Sequence, residues 1–285
     1  MEKMKGGFSA SQIKWIALIF MTIDHLDLVF YGIPFGGRAS DLFRILGRIS
    51  APLFLYLVTE STRYTRSKKR FILRLYCAGV ASGMFTILTN LIFGRFLVYT
   101  PGNIFFTFFY TALLITSIEN AKESITQGSP LGAGLILLLC TALILLPQLF
   151  HDYADSIRLF GNNIQAEILF RDVLRALFPS VLSIEYSIMF PIIGVMLYFA
   201  QRKLAQCILF IGFCFLSFAG SFIEGSLWPI NDFVAPGQYW MILALPFIVL
   251  YNHKRGKSHK LFFYIYYPLH RYIFAILGTL FSQYS

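Results

Sequence analysis

The stretch from Ser124 to Phe150, SITQGSPLGAGLILLLCTALILLPQLF, contains no Asp, Glu, Lys or Arg, and its reading decides the fold class. A bilayer core about 30 Å thick needs about 20 apolar residues in helix, because lipid offers nothing to hydrogen-bond a free backbone amide. Charge-free runs of similar kind extend from Leu75 to Gly94, Phe96 to Ile118, Leu204 to Ile223 and Phe233 to Asn252, with a shorter one from Tyr186 to Gln201. Three more apolar segments carry ionisable groups: Ile13 to Gly32, roughly Leu42 to Ser61, and Leu261 to Phe281. The expected architecture is therefore all-α, a polytopic transmembrane helical bundle of about nine spans forming a single membrane-embedded domain over residues 1–285.

Composition agrees. Hydrophobic residues make up 57% of the chain and charged residues 13%, about half the charged share of a soluble domain. A water-soluble fold is excluded on that ground. Cys77, Cys140, Cys207 and Cys214 all fall inside apolar runs, so they read as small buried hydrophobes and not as disulfide partners or metal ligands. The formal charge of +10 does not point to nucleic acid, because the basic residues occur in short clusters between apolar runs, where membrane anchors lie. Lys3 and Lys5 precede an apolar run as in a signal peptide, but Asp24, His25 and Asp27 interrupt that run and no small-residue cleavage site follows. The first segment is expected to be retained.

Cytoplasmic loops are enriched in Lys and Arg. The segment from Arg63 to Arg74, the Arg202-Lys203 turn and the segment His253 to Lys260 all fall on one side if nine spans alternate. That arrangement predicts a cytoplasmic N-terminus in the cell membrane, with the Ser221 to Asp232 loop and the long His151 to Ser180 connection outside. The latter mixes Asp152, Asp155, Arg158, Glu167, Arg171, Asp172 and Arg175 with apolar residues, the pattern of an amphipathic surface helix or a cap. No internal repeat is visible, which disfavours transporter folds built from inverted repeats.

Some residues do not belong in lipid. Asp24 and His25 lie half way along the first span, where an ionised carboxylate costs several kcal/mol unless it is paired or faces water. Arg48 is expected at comparable depth in the second span, with an Asp24 to Arg48 ion pair as the simplest arrangement; its bland counterpart is a polar link that only joins two helices. His270 falls in Tyr266-Tyr267-Pro268-Leu269-His270-Arg271, where Pro268 frees a carbonyl near a polar centre. Two histidines, a carboxylate and arginines at similar depth suit general acid–base chemistry. His can take a proton from a nucleophile, Asp can fix the imidazole tautomer, and Arg can hold a developing oxyanion. They would equally serve as a proton relay. Arg63, Arg66, Lys68 and Lys69 read either as a positive-inside anchor or as a cytoplasmic phosphate clamp, for example for coenzyme A. No glycine-rich phosphate loop is present to suggest a nucleotide hydrolase.

These residues resemble the TraX family of F-pilin acetylase relatives, within the wider membrane acyltransferases. The resemblance rests on Ile13 to His25 (IKWIALIFMTIDH), Leu46 to Phe54 (LGRISAPLF), Thr59 to Thr65 (TESTRYT), Arg74-Leu75, Asn103 to Thr107 (NIFFT) and Phe262 to His270 (FFYIYYPLH). It covers the first 110 residues and the last 35, while Gln127 to Gln238 departs from it apart from a trace at Asp152-Tyr153-Ala154-Asp155.

The resemblance implies transfer of an acetyl group from acetyl-CoA to an amine or hydroxyl at or across the membrane. The acceptor would be a peptide N-terminus, an amino sugar, a glycan or a lipid. Asp24-His25 match the family's Asp-His motif, Arg48 its Gly-Arg motif and His270 its Tyr-Pro-Leu-His motif. On this reading His25 is the base, Asp24 orients it, Arg48 and His270 hold the acceptor or oxyanion, and Arg63, Arg66, Lys68 and Lys69 meet the phosphates of the acyl-CoA donor. No metal is expected. Two rivals use the same residues: a proton-coupled transporter or flippase, and a non-enzymatic assembly partner for pili or envelope polymers.

Overall fold

The structure is a computed structural model, and it describes residues 6–30, 36–93, 103–223, 230–235, 237–257, 262–267, 269, 270, 273, 274 and 277. The fold is all-helical, and among the described residues five helices are long and apolar enough to cross a membrane: Asp41–Tyr64, Lys68–Ile92, Ile104–Thr126, Pro130–Ser156 and Lys203–Gly220. Each corresponds to one of the nine segments expected from the sequence. The others take different forms. Helix α1, Ala10–Phe30, has 21 residues, about the length that crosses a bilayer core, with Lys14 and Asp24 within it. Met189–Phe199 is an apolar helix of only 11 residues.

The Phe233 to Asn252 segment is not one helix. It comprises Asn231–Val234, the 3-10 turn Gln238–Ala244 and Leu245–Val249. Gly237 is left-handed at φ 88, which ends the first piece, and Pro246 opens the last, where its missing N–H costs no helical bond. The last segment is helical at 262–267.

Two compact units divide the chain, Met1–Glu60 with Met196–Ser285, and Ser61–Val195. The second unit holds helices α4 (Lys68–Phe93), α5 (Ile104–Thr126), α6 (Pro130–Ser156) and α7 (Ile164–Leu177), and side chains of α4, α5 and α6 pack on a core of Phe106, Tyr110, Val181 and Ile184. Asn103 caps α5 by accepting from the Phe105 amide at 3.0 Å, and its Nδ2 donates to the Gly79 carbonyl at 2.9 Å. Gly79 lets the Phe106 ring lie directly on the α4 backbone, where any Cβ would collide with it.

Helix α7 ends at Leu177, so the carbonyls that follow have no intrahelical partner. Side chains from three helices supply one: Tyr76 donates to Leu177 O at 2.6 Å, His151 Nε2 to Phe178 O at 2.8 Å, and the Tyr110 hydroxyl to Pro179 O. Thr107 adds a bond to Glu185 O at 2.9 Å. The expected amphipathic helix is α7 itself, with Asn163 capping its start and Arg171 and Arg175 paired to Asp155. Cys140 and Cys214 are buried as expected, whereas Cys77 is exposed on the outer side of α4.

In the first unit, the backbone before α1 is bonded to the segment after Leu245–Val249. Phe8 N donates to Leu250 O at 2.8 Å, Asn252 N to Phe8 O at 3.0 Å, and Ala10 N to Lys254 O at 2.8 Å. Asn252 Nδ2 adds a bond to Gly7 O. This clasp uses the α1 amides that a helix leaves open at its start.

Candidate functional site

Four residues expected in the site, Asp24, His25, Arg48 and His270, belong to the first unit, and Arg63, Arg66, Lys68 and Lys69 to the second. His25 and His270 come together. Their rings meet edge to face with centroids 4.7 Å apart. Each imidazole is fixed in the same way: Nδ1 of His25 lies 2.9 Å from Met21 O, and Nδ1 of His270 lies 2.8 Å from Tyr266 O. A carbonyl can only accept, so Nδ1 carries the proton and Nε2 is the basic nitrogen of both rings. The carbonyl four residues back in the chain thus selects the same tautomer in both rings.

Tyr266 reinforces this. Its ring is parallel to that of His270 (centroids 5.0 Å, interplanar angle 2°), and its hydroxyl bonds Thr22 Oγ1 at 2.7 Å. Thr22 Oγ1 is already committed as donor to Leu18 O at 2.8 Å, so Tyr266 is the donor of the pair. The bond ties the helical turn of His270 to α1 within one turn of His25.

Two expectations are corrected. Asp24 does not orient the imidazole through Nδ1: its carboxylate is 4.0 Å from that atom, which the Met21 carbonyl occupies instead. It lies beside the His25 ring without bonding Nδ1. Nor does Arg48 pair with Asp24; its Nη1 donates to Gln238 Oε1 at 3.3 Å. The reason lies in the helix break. Helix α2 (Gly36–Gly47) gives way to α3 (Ser50–Tyr64) through bonds from Arg48 N to Ile45 O and Ile49 N to Leu46 O, and this tighter turn re-aims the arginine. Gly47 faces Asp24 instead. A Cβ there would collide with the Asp24 carboxylate, so only glycine admits this approach.

In the second unit, Arg66 and Lys69 are exposed at the start of α4, while Lys68 forms an ion pair with Glu119 of α5. Lys68 is therefore neutralised within the fold, and the cations that face outward there are Arg66, Lys69 and Arg70.

A second polar cluster of the first unit was not foreseen as a site. Nδ1 of His253 is 3.0 Å from Glu60 Oε2, with the Glu60 side chain 5% exposed. The His253 and Tyr251 rings lie 4.7 Å apart, and Tyr251 meets Tyr56 edge to face at 5.8 Å. The Lys203 ammonium sits 5.2 Å from the centre of the Tyr56 ring and 5.7 Å from that of Tyr251. It donates to the Tyr56 hydroxyl at 3.2 Å, which itself donates to Gln206 Oε1 at 3.0 Å. In sequence, Glu60 sits at the end of an apolar segment while Lys203 and His253 lie in basic ones, so they read as membrane-surface anchors. The signal available was Glu60, a carboxylate inside a basic, apolar neighbourhood. Among the described residues no group of three or more His, Cys, Asp or Glu could hold a metal ion.

Comparison with known proteins follows from this geometry. The family model described as TraX protein matches residues 9–159 and 164–278, so the match extends through the middle of the chain. A protein of Dichelobacter nodosus described as "Probable fimbrial assembly protein FimC, serogroup H1" is 33% identical over 78 residues, which are 27% of this chain and 31% of that protein. The matched stretch thus spans less than a third of that relative's length. No solved structure matches.

Proposed function

The chain belongs to the TraX family, and from that premise we propose that it is an integral acyltransferase of the cell membrane. It would move an acetyl group from acetyl-CoA to an amine or hydroxyl of an acceptor. The observation that carries this reading is the tautomer of His25. With Nδ1 donating to Met21 O, Nε2 carries the lone pair of the ring, the one a general base uses.

The reaction on this reading is simple. Nε2 of His25 accepts the proton of the acceptor N–H or O–H as its heteroatom attacks the thioester carbonyl. The C–S bond then breaks, and the CoA thiolate leaves with the proton returned by the imidazolium. Asp24 and His270 both lie beside that ring. Arg48, fixed on Gln238, is the candidate to hold the acceptor or the oxyanion. Arg66 and Lys69, exposed at the positive end of α4, suit the donor's phosphates, with Arg63 beside them at the end of α3. The N-terminus is cytoplasmic in this scheme, so that these cations meet a cytosolic donor.

The test is to incubate the purified protein in nanodiscs with acetyl-CoA and to follow binding and slow CoA release for wild type and His25→Ala. Saturable binding with release that disappears in the variant is expected. A variant that releases CoA at the wild-type rate removes His25 from the chemistry, and absence of binding at millimolar donor removes the acyl-CoA reading.

The printed name of the Dichelobacter nodosus relative favours a second reading, assembly of a surface fibre without catalysis. Here the buried polar groups only join helices, and tolerance of Asp24→Asn together with Arg48→Gln would support it.

A further inference from the structure

The cluster of Glu60, His253 and Lys203 takes no part in the proposed acyl transfer, yet its chemistry is incomplete. His253 donates through Nδ1 to a carboxylate, the arrangement that orients an imidazole and fixes its tautomer. Among the described residues its Nε2 meets no hydrogen-bond partner, and the side chain is 17% exposed, enough to be reached. Its backbone is left-handed at φ 59, a conformation that a residue other than glycine adopts at a cost and that holds the ring on Tyr251.

Lys203 is the other unfinished group. Its ammonium has three N–H groups and spends one on the Tyr56 hydroxyl. Among the described residues it lies within ion-pair distance of no carboxylate, and it is partly sheltered against two tyrosine rings. The Glu60 carboxylate acts on it only at longer range, so its remaining N–H groups can meet an anion directly.

Both groups contact one ring, that of Tyr251, and between them they offer one acceptor, Nε2, and cationic donors. Their complement must carry both an O–H and an O⁻. A carboxylate has no donor. A hydrogen phosphate has both, and its second ionisation falls near neutral pH.

We infer that Glu60, His253, Lys203 and the Tyr56–Tyr251 pair form a second site that binds a phosphate monoester, with His253 Nε2 taking the P–O–H proton. Lys203 receives the P–O⁻ oxygens. One proton moves from oxygen to nitrogen and no other bond changes. The resulting imidazolium lies between the Glu60 carboxylate and the phosphate dianion. The ligand reaches the site either from solution or as a lipid headgroup.

The test follows carbethoxylation of His253 by diethyl pyrocarbonate, read by mass spectrometry on the full-length protein in micelles. Inorganic phosphate at four times its dissociation constant should slow the reaction about fivefold by mass action, while chloride at equal ionic strength leaves it unchanged. Lys203→Gln should abolish the protection and Lys203→Arg restore it in part, with gel filtration showing both variants monodisperse. In nanodiscs, protection by phosphatidic acid without added phosphate assigns the ligand to the lipid, and protection by added phosphate alone assigns it to solution. Equal rates in phosphate and chloride overturn the proposal, as does full protection in Lys203→Gln. No acetyl-CoA enters this experiment, so its outcome is separate from that of the acyltransferase assay.

Discussion

In Ser61–Val195, side chains from α4, α5 and α6 close on three consecutive carbonyls, those of Leu177, Phe178 and Pro179. In Met1–Glu60 with Met196–Ser285, three imidazoles are instead fixed through Nδ1, on Met21 O, Tyr266 O and the Glu60 carboxylate. The first pattern uses side-chain donors to repair a break in backbone hydrogen bonding that lipid would penalise. The second uses acceptors to orient rings and places the lone pair of each on Nε2. A buried histidine therefore means different things in the two units. His151 closes the end of α7, while on the readings proposed above His25, His270 and His253 take part in proton transfer.

The sharpest way to break that comparison is to remove one histidine from each unit. His25→Ala should lower CoA release from acetyl-CoA by about 10²-fold or more, the usual scale for a lost general base, with thermal unfolding little changed. His151→Ala should do the reverse, keeping turnover per folded molecule but destabilising the protein by about 1–3 kcal/mol as Phe178 O loses its donor. Circular dichroism melts in detergent beside the release assay would decide, and matching losses in both variants would erase the distinction. Next in size, Gly47→Ala forces Asp24 and the α2–α3 turn apart. It should cost about 1–3 kcal/mol by overpacking and also slow turnover, because the displaced carboxylate neighbours His25. Asn103→Ala removes an α5 cap and should cost about 1 kcal/mol in the same melts without touching the assay. Smallest is Arg175→Gln, which loses an exposed pair with Asp155 and should shift stability by no more than about 1 kcal/mol, less in high salt.

Much of this was legible in the sequence, for identifiable reasons. Long charge-free runs can be read because a bilayer demands them, and five of the expected segments are spans of the required length. Asp24 and His25 were legible as charge within apolar surroundings. Counting apolarity alone failed for Phe233 to Asn252, since Gly237 and Pro246 divide that run without adding any charge. The partner of Arg48 was hidden because depth was reckoned along one continuous helix, whereas the bonds at Arg48 and Ile49 show a tighter turn. Glu60 and His253 stand 193 residues apart, and no local spacing announces a pair at that distance.

The clasp between Phe8 and Leu250 carries a consequence for biogenesis. A ribosome adding about 5–20 residues per second finishes the helices between Ser61 and Val195 well before Leu250 appears. For on the order of tens of seconds the first helix waits without its closing partner. The unit that holds His25, His253 and His270 is thus the last to be completed and the one that waits longest for its closing partner while synthesis continues.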